Sequence, residues 1–392
     1  MKKWDKLLKK QFTPINLFDA RDRNFNRKRI IVFDRTIPFF DTNAGNRCTF
    51  MYLQIFQQIG FYVTFVSDKP KKYNKYTDVL EQRGIEVIYK NNDMKSFLND
   101  WLENNLKYFN YVFLQRPNVA LKYIDIIKKY FYGKILYFAH DLSFNRLFRE
   151  YKITGKEQLL KESKFWKKNE MEIINKSDVC YVVGNYEEKL LQKTFKNKPI
   201  RNIPIYIYEK LLSDVEKDFS KRKDLIFVGF FYHRPNLDAI LWFTKEIFPF
   251  IINKYPNITL HISPIFKEIK EIKSTNIKLY GFLDDKDLHF LYQKCRIAIA
   301  PLRFGAGVKG KIIEAAYNQI PMITTSIGAE GLDKSIGSFL VEDDALKMSK
   351  LISSIYNNFT KLKEISDSGI NFIKKYFTPE IAKDILLKDI KL

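Results

Sequence analysis

Short runs of consecutive apolar residues alternate with segments of helical periodicity along the first half of the chain. The runs are rich in β-branched and aromatic residues, which is typical of strands that a parallel sheet buries on both faces. They lie at Ile30–Phe33, Tyr62–Val66, Ile85–Tyr89, Tyr111–Leu114, Ile135–Phe138 and Val179–Val183. Helical spacing is found at Cys48–Gln58, Met94–Lys107 and Val119–Tyr130. The alternation predicts βαβ units in a doubly wound sheet.

The same alternation resumes after a polar, charge-rich stretch, Tyr208–Lys223, which we interpret as an interdomain linker. Strands are then predicted at Leu225–Val228, Ile258–Ile262, Ile277–Tyr280, Ile297–Ala300, Met322–Thr325 and Ser338–Val341. Helices are predicted at Leu237–Asn253, Asp285–Gln293, Lys309–Asn318 and from Ala345 to the chain end. A chain of 392 residues exceeds the roughly 250–300 residues of one core, so we expect two tandem α/β domains with a cleft between them.

The segment from Ala300 to Ala316 is the most specific motif in the chain. A predicted strand ends at Ala300, a glycine-rich loop follows, and a helix begins near Val308 or Lys309. Glycines let the backbone approach a ligand closely, and the free N–H groups at a helix start attract phosphate oxygens. The glycines are Gly305, Gly307 and Gly310. Position and composition together predict a cradle for a diphosphate.

Charged side chains in the same segment strengthen this prediction. The cations are Arg303, Lys309 and Lys311. Glu314 follows Lys311 by about one helical turn, so the two side chains share a helix face. A carboxylate there can accept hydrogen bonds from both hydroxyls of a ribose. The alternative is a surface loop with a charged first helical turn.

Three further loops follow predicted strands and face the cleft, because open α/β sheets bind ligands beyond the carboxyl ends of their strands. Gly45 and Arg47 stand at a helix start where they can contact donor phosphate; the alternative is a solvated arginine. His140 and Asp141 can position a hydroxyl group; the alternative is a structural histidine. The loop Thr324–Gly331 suits close approach of a ligand, or is an ordinary connection.

The charge balance favours anionic partners without indicating nucleic acid. The formal net charge is +22, which attracts phosphorylated substrates and anionic lipid. The lysines are spread along the chain and form no basic stripe, so we expect no nucleic-acid partner. The basic terminus, Met1–Phe12, can lie on an anionic membrane surface as an amphipathic helix or remain a solvated end.

We expect neither a metal site nor an export signal. The aspartates in Asp284–Asp287 stand at a predicted helix start, where they cap N–H groups. Cys48, Cys180 and Cys295 are widely spaced, as is typical of reduced thiols in a reducing compartment. No apolar run reaches the ~18 residues of a membrane-spanning helix, and the N-terminus lacks an apolar signal core. The expected location is cytoplasmic, or peripheral on the inner face of the cell membrane.

The second half of the chain resembles family 4 glycosyltransferases and the related glycosyl transferases group 1 domain. The matching stretches are Phe227–Asp238, Leu279–Asp285 and Ala300–Leu332. The first half resembles the acceptor domain of the same family, through Asp41–Arg47, Gln115–Pro117, Tyr137–Leu142, Glu170 and Ser177–Asp178. Together these stretches extend the resemblance over about residues 29–390.

This resemblance implies a GT-B fold, in which two Rossmann-like α/β domains face a central cleft. It implies an acceptor-binding domain at 1–207, a nucleotide-sugar donor domain at 208–376, and a C-terminal helix at 377–392 that packs back on the first domain. It also implies transfer of a sugar from a nucleotide-diphosphate-sugar to a glycan or lipid-linked acceptor, with no cofactor or metal and with retention at the anomeric carbon. The implied setting is synthesis of bacterial lipopolysaccharide or capsule.

The loop positions and the resemblance together give candidate roles. Glu314 matches the second glutamate of the family's Glu-x7-Glu motif and would hold the ribose. The predicted catalytic residues are His140, Asp141 and Lys311. The predicted diphosphate contacts are Gly45, Arg47, Arg303, Gly305, Ala306, Gly307, Val308, Lys309 and Lys311. Further donor contacts are expected from Gly229, His233, Arg234 and Thr325.

The sequence departs from the family pattern at two places. Ala306 occupies the position of the motif's first glutamate, which in relatives engages the transferred sugar, so sugar contacts must come from elsewhere. The loop after Leu225–Val228 lacks the arginine and lysine that many relatives use for the diphosphate. Arg234 can serve there, and Asn236 can equally cap the helix.

Two alternative functions stay open. One is a nucleotide-sugar 2-epimerase, which would alter a nucleotide-sugar without any acceptor. The other is a non-catalytic polyanion-binding protein, whose binding would weaken steeply with salt.

Overall fold

The computed structural model describes residues 27–89, 97–230, 233–264 and 274–391. Within these ranges the chain forms two α/β domains, each built on a parallel sheet, so the predicted architecture is confirmed. The basic segment Met1–Phe12 lies outside the described residues, as does the start of the predicted helix Met94–Lys107.

The first sheet has seven described strands in the order β3-β2-β1-β4-β5-β6-β7. They are β1 (Arg29–Asp34), β2 (Tyr62–Ser67), β3 (Glu86–Ile88), β4 (Tyr111–Gln115), β5 (Lys134–Phe138), β6 (Val179–Val182) and β7 (Ile200–Asn202). The strand order reverses between β1 and β4. A crevice at such a point is where open α/β sheets bind ligands.

Helices cover both faces of the first sheet. They are α1 (Ala44–Ile59), α2 (Asn74–Gln82), α3 (Phe97–Asn105), α4 (Pro117–Tyr130), α5 (Ser143–Thr154), α6 (Glu157–Lys176) and α7 (Asn185–Gln192), with a 3-10 turn at Leu106–Tyr108. Successive residues of β1 enter opposite cores, because Ile30 and Val32 belong to one apolar cluster and Ile31 and Phe33 to the other. This two-sided burial explains the unbroken apolar runs.

The second sheet has six described strands in the order β10-β9-β8-β11-β12-β13, with its reversal between β8 and β11. They are β8 (Lys223–Val228), β9 (Leu260–Ser263), β10 (Ile277–Leu279), β11 (Cys295–Ala300), β12 (Met322–Thr324) and β13 (Phe339–Val341). The helices are α8 (Arg234–Trp242), α9 (Phe248–Lys254), α10 (Asp285–Lys294), α11 (Gly310–Tyr317), α12 (Ala345–Ile355), α13 (Phe359–Tyr376) and α14 (Pro379–Leu387). A second 3-10 turn lies at Lys334–Ile336.

The predicted helix Leu237–Asn253 is interrupted. A π-helical turn at Phe243–Ile247 separates α8 from α9. Pro249 stands at the start of α9, where it cannot donate to the preceding turn and its ring crowds the carbonyl four residues earlier. The proline therefore accounts for the break.

The predicted linker Tyr208–Lys223 is not solvated along its whole length. Arg222 is only 1% exposed, and its guanidinium donates to the Glu216 carbonyl and to Gln293 Oε1. The end of this stretch is thus part of the second domain.

The C-terminal helix α14 returns to the first domain. Ala382 and Leu386 lie in the same apolar cluster as Tyr52. Beyond the helix, Asp389 accepts two hydrogen bonds from Arg201, at 2.5 and 2.7 Å. Among the described residues, no helix is both long and apolar enough to cross a bilayer.

Candidate functional site

Lys311 lies at the centre of the predicted diphosphate cradle. Its ammonium donates a hydrogen bond to Asn236 Oδ1 over 2.5 Å. The same Asn236 donates to the Phe230 carbonyl, so it connects Lys311 to the loop after β8. A Cβ added at Gly229 would lie 2.9 Å from Lys311 Nζ, and glycine is therefore needed to seat the lysine. Asn236 does not cap α8. The residue at the cap position is His233, and its side chain makes no capping hydrogen bond.

Lys309 adds a second ammonium at the start of α11. It donates to the Gly307 carbonyl, and no side chain caps the helix start that follows. Burial lowers the pKa of Lys309 to about 8 and that of Lys311 to about 7, because desolvation disfavours the charged form. A bound diphosphate would supply negative charge that stabilises the ammonium form of both lysines.

Glu314 lies on the same helix as Lys311. Burial raises the pKa of its carboxyl group, while Arg47 and Lys311 partly offset that effect. Tyr292 donates to its Oε2 at 3.4 Å. The structure thus groups a carboxylate, a phenol and a guanidinium where the prediction places the ribose.

The glycine-rich loop packs directly against the first domain. Gly307 has φ +67°, and a Cβ there would lie 3.0 Å from Val183 Cγ2 and 3.1 Å from the His140 carbonyl. A Cβ at Gly310 would lie 2.4 Å from the Tyr206 ring. These glycines therefore allow close approach of the two domains, a role that the sequence did not suggest.

His140 and Asp141, the predicted catalytic pair, follow β5 but are not bonded to each other. His140 is buried and has φ +61°, and its Nε2 lies 3.0 Å from Gln115 Oε1. Because the glutamine oxygen only accepts, Nε2 carries the proton. Burial and Arg116 lower the pKa of His140 to about 3, so the ring is neutral. Asp141 instead accepts from Arg146 Nε at 2.9 Å.

A polar cluster at the reversal between β1 and β4 was not predicted as a site. Asp34, at the end of β1, accepts from Arg116 Nε at 2.6 Å and from the Thr49 hydroxyl at 2.5 Å. Burial opposes ionisation of Asp34, yet Arg116 and the hydrogen bonds hold the pKa of its carboxyl below the ordinary value. Arg116 itself has φ +64°, and a Cβ at Gly45 would lie 2.7 Å from its Nη2. The only available sequence signal was the Gln115–Pro117 match.

Two buried glutamates hold the loop that carries Asp141. Glu170 accepts from the Ser143 and Phe144 N–H groups at 2.8 and 3.1 Å, and Glu187 accepts from the Leu142 N–H at 3.1 Å. They serve as caps for α5, which has no side-chain cap of its own. Burial raises the pKa of each carboxyl to about 8.

Three ion pairs join the two domains across the cleft within the described ranges. Arg47 Nη2 lies 2.5 and 2.7 Å from the two carboxylate oxygens of Asp285. Arg149 pairs with Glu330 at 2.5 Å, and Arg234 pairs with Glu150 at 3.1 Å. Arg47 and Arg234 are thus where predicted, at the cleft, but each already holds a carboxylate. Because these pairs cross the cleft, the two domains are in a closed arrangement.

Two predicted donor contacts are placed elsewhere by the structure. Arg303 donates to Asp238 Oδ2 at 2.9 Å and lies over the Trp242 ring, so its own domain neutralises its charge and it does not join the lysines. Thr325 is buried and donates to the Leu302 carbonyl, so its hydroxyl holds two loops together. Arg303 was predicted from its charge and Thr325 from its position in a loop, and neither property fixes the direction of a side chain.

The aspartates at the start of α10 were predicted to cap that helix and not to bind a metal ion. Asp284 accepts from the Asp287 N–H at 2.8 Å, as a helix cap does. Nowhere in the described residues do three His, Cys, Asp or Glu side chains group as a metal site. Asp285, which the capping argument overlooked, forms the pair with Arg47.

A family model and a curated relative each match part of the chain. Residues 222–358 match the family model described as Glycosyl transferases group 1. A Klebsiella pneumoniae protein described as an uncharacterized 44.6 kDa protein in the cps region is 30% identical over 176 residues. That match covers 42% of this chain and 45% of the Klebsiella protein, so it spans less than half of either.

Solved structures extend the likeness over nearly the whole chain. Sucrose-phosphate synthase from Thermosynechococcus elongatus is 14% identical with a TM-score of 0.68, covering 92% of this chain and 98% of its own. Anabaena HepE in complex with UDP-glucose is 12% identical with a TM-score of 0.63. That match covers 92% of this chain and 98% of the HepE chain. S. aureus TarM, as a mutant in complex with UDP and other ligands, is 11% identical with a TM-score of 0.66, covering 93% and 100%. Residues 222–358 thus match the glycosyl transferases group 1 model, in a chain whose two domains have the GT-B fold.

Proposed function

We propose that this protein is a glycosyltransferase of family 4 that moves a sugar from a nucleotide-diphosphate-sugar to a hydroxyl group of a glycan or lipid-linked acceptor. The observation that carries the proposal is the arrangement on α11. Lys309 and Lys311 flank an uncapped helix start, and Glu314 follows on the same helix. Cations, free N–H groups and a carboxylate are thus aligned as a diphosphate joined to a ribose requires.

The proposed reaction is a substitution at the anomeric carbon. The acceptor oxygen forms a bond to that carbon, and the bond from the carbon to the phosphate oxygen breaks. The nucleoside diphosphate leaves with the electron pair, and the proton of the acceptor hydroxyl passes to the departing phosphate oxygen. Negative charge grows on the leaving phosphate in the transition state, so Lys309, Lys311 and the helix start stabilise the transition state more than the bound donor.

The acceptor side of the cleft is proposed to use the loop His140–Asp141. The neutral His140 ring donates from Nε2 to Gln115, which leaves Nδ1 as an acceptor for a hydroxyl proton. Asp141 is oriented by Arg146 and stands against Gly307. An acceptor held here would be adjacent to the diphosphate loop.

Transfer without a metal ion and with retention of the anomeric configuration are parts of this proposal. Two ammonium groups and a helix start can neutralise a diphosphate without a metal ion. Retention is supported by the resemblance to family 4. A role in surface polysaccharide synthesis is supported by the printed description of the Klebsiella relative, which places it in a cps region.

A thermal-shift screen tests the donor assignment. The purified protein is heated with UDP, GDP, CMP, dTDP and their sugars, with and without EDTA, because a ligand of the folded state raises its apparent stability by mass action. We expect a rise with one nucleoside diphosphate, unchanged by EDTA and lost in Glu314→Ala. Absence of a rise with every nucleotide would count against the proposal and favour a polyanion-binding protein.

A further inference from the structure

We propose that Glu330 and Arg149 together bind hydroxyl groups of the transferred sugar, an inference that rests on the donor site proposed above. Glu330 lies in the loop after β12 of the second domain, and Arg149 lies on α5 of the first. The sugar-binding position would therefore be completed only when the two domains meet.

The two side chains form a bidentate pair across the cleft. Arg149 Nη1 donates to Glu330 Oε1 at 2.8 Å, and Nη2 donates to Oε2 at 2.5 Å. The side chains are 18% and 11% exposed. Arg149 Nη1 also donates to the Gly305 carbonyl at 2.8 Å, so the pair is fixed against the glycine-rich loop.

The pair lies where a sugar attached to the diphosphate must extend. Glu330 and Arg149 are among the charged neighbours of Lys309, which holds one end of the proposed diphosphate site. Two residues beyond Gly305, a Cβ added at Gly307 would lie 3.1 Å from the His140 carbonyl oxygen and 3.3 Å from Asp141 Cβ. A sugar between the phosphate and the acceptor loop is therefore bordered by this pair.

The chemistry of the pair suits sugar hydroxyls. Each carboxylate oxygen accepts more than one hydrogen bond, and a guanidinium has five N–H donors, so both groups can bind hydroxyls while they remain paired. Ala306, next to Gly305, offers no polar side-chain atom. A carboxylate that contacts the sugar at this point must reach it from another loop, and Glu330 does so.

Glu330→Gln tests the inference, because it preserves shape and removes the charge. Binding of a nucleoside diphosphate and of its sugar conjugate is measured by calorimetry, with UDP and UDP-glucose or with GDP and GDP-mannose, whichever pair the wild type binds. We expect the Kd of the nucleotide-sugar to rise at least about tenfold, equivalent to about 1.4 kcal/mol, and the Kd of the nucleoside diphosphate to stay within about twofold. Arg149→Lys, which keeps the charge but loses the planar fork, should act in the same direction.

Asp389→Asn is the matched control, since Asp389 forms an equally bidentate pair with Arg201 away from the cleft. This variant should bind both ligands as the wild type does. An equal loss of both ligands in Glu330→Gln would show that the pair only supports domain closure and would overturn the inference. A wild type that binds none of the nucleotides or nucleotide-sugars of the thermal-shift screen would overturn the donor site itself.

Discussion

The Lys311 ammonium lies 2.5 Å from Asn236 Oδ1, so an amide from α8 holds the central cation of the proposed donor site. Because Asn236 is also bonded to the loop after β8, the ammonium is positioned before any ligand arrives. Preorganised positive charge of this kind needs no rearrangement when the leaving group becomes negative.

Lys311→Ala should therefore reduce kcat strongly while leaving the fold intact. Loss of one preorganised donor to a developing negative charge costs about 10²–10³-fold in kcat in known enzymes, and we expect a loss of that size. The measurement is nucleoside diphosphate release in steady state, with the melting temperature recorded in parallel. Lys294→Ala, at an exposed position at the end of α10, is the control. Full activity in Lys311→Ala would disprove its assignment to the diphosphate.

Nucleoside diphosphate binding should weaken as the pH rises above neutrality. The pKa of Lys311 is about 7 and that of Lys309 about 8, so both lose their charge over the alkaline range. The terminal phosphate has a second pKa of about 6 and is already fully ionised above neutral pH. Its own titration therefore does not mask the effect of the lysines on binding.

Calorimetry checks this pH dependence directly. Binding at neutral pH should take up protons, which appears as a dependence of the heat on the buffer. Lys311→Arg, which stays charged throughout, should bind with a shallower pH profile. A wild-type affinity that stays constant across the alkaline range would contradict the buried-lysine account.

Glu187→Gln should become more stable than the wild type as the pH rises. The pKa of the folded Glu187 carboxyl is about 8, whereas an unfolded glutamate titrates near about 4.3. Between these values the folded state binds more protons than the unfolded state. The contribution of Glu187 to the free energy of unfolding therefore falls with rising pH. That contribution is lost as the pH passes the pKa of the folded state.

The melting temperatures of the two proteins, compared from about pH 5 to about pH 9, should diverge in favour of the variant. The amide keeps an oxygen to accept from the Leu142 N–H, so the cap on α5 survives. Glu162→Gln, on the exposed face of α6, should show no such divergence. Parallel curves for Glu187→Gln and wild type would mean that Glu187 is ionised in the folded protein.

Gly307→Ala should disturb domain closure. Gly307 and Gly155 share φ +67°, but a Cβ at Gly307 meets Val183 and His140 of the first domain, whereas a Cβ at Gly155 meets nothing within 4 Å. Both variants carry the left-handed strain of about 1–2 kcal/mol, and only Gly307→Ala adds a contact between domains. We expect a loss of turnover and a larger radius of gyration by X-ray scattering in Gly307→Ala alone. Equal behaviour of the two variants would argue against closure through this loop.

The positions of most strands could be predicted from the sequence, because a strand buried on both faces of a sheet consists of consecutive apolar residues. Strands β1, β4 and β5 appear as consecutive apolar residues whatever their neighbours are. No bounds were predicted for helices α5 to α7, since their buried positions are interleaved with many lysines and glutamates on the exposed faces. Pro249, which accounts for the break between α8 and α9, was visible in the sequence, yet a continuous helix was predicted there.

The grouping of charged residues at the proposed donor site was predictable to the same degree. The order of strand, glycines, lysines and glutamate in Ala300–Ala316 is local, and the structure places Lys309 just before α11 and Lys311 and Glu314 on it. Arg303 has the same charge and a similar position in the sequence, yet its direction was decided by Asp238, a residue 65 positions away. Side-chain direction follows from such partners.

The sequence by itself thus determined two α/β domains and the segment that we propose binds a diphosphate, because hydrophobic periodicity and helix-start chemistry act between neighbours along the chain. Only the tertiary structure decided how the cleft closes. The pairs of Arg149 with Glu330 and of Arg47 with Asp285 join residues 181 and 238 positions apart. Nothing local marks such partners, since any surface arginine can pair with any carboxylate until folding brings one of them within hydrogen-bond distance.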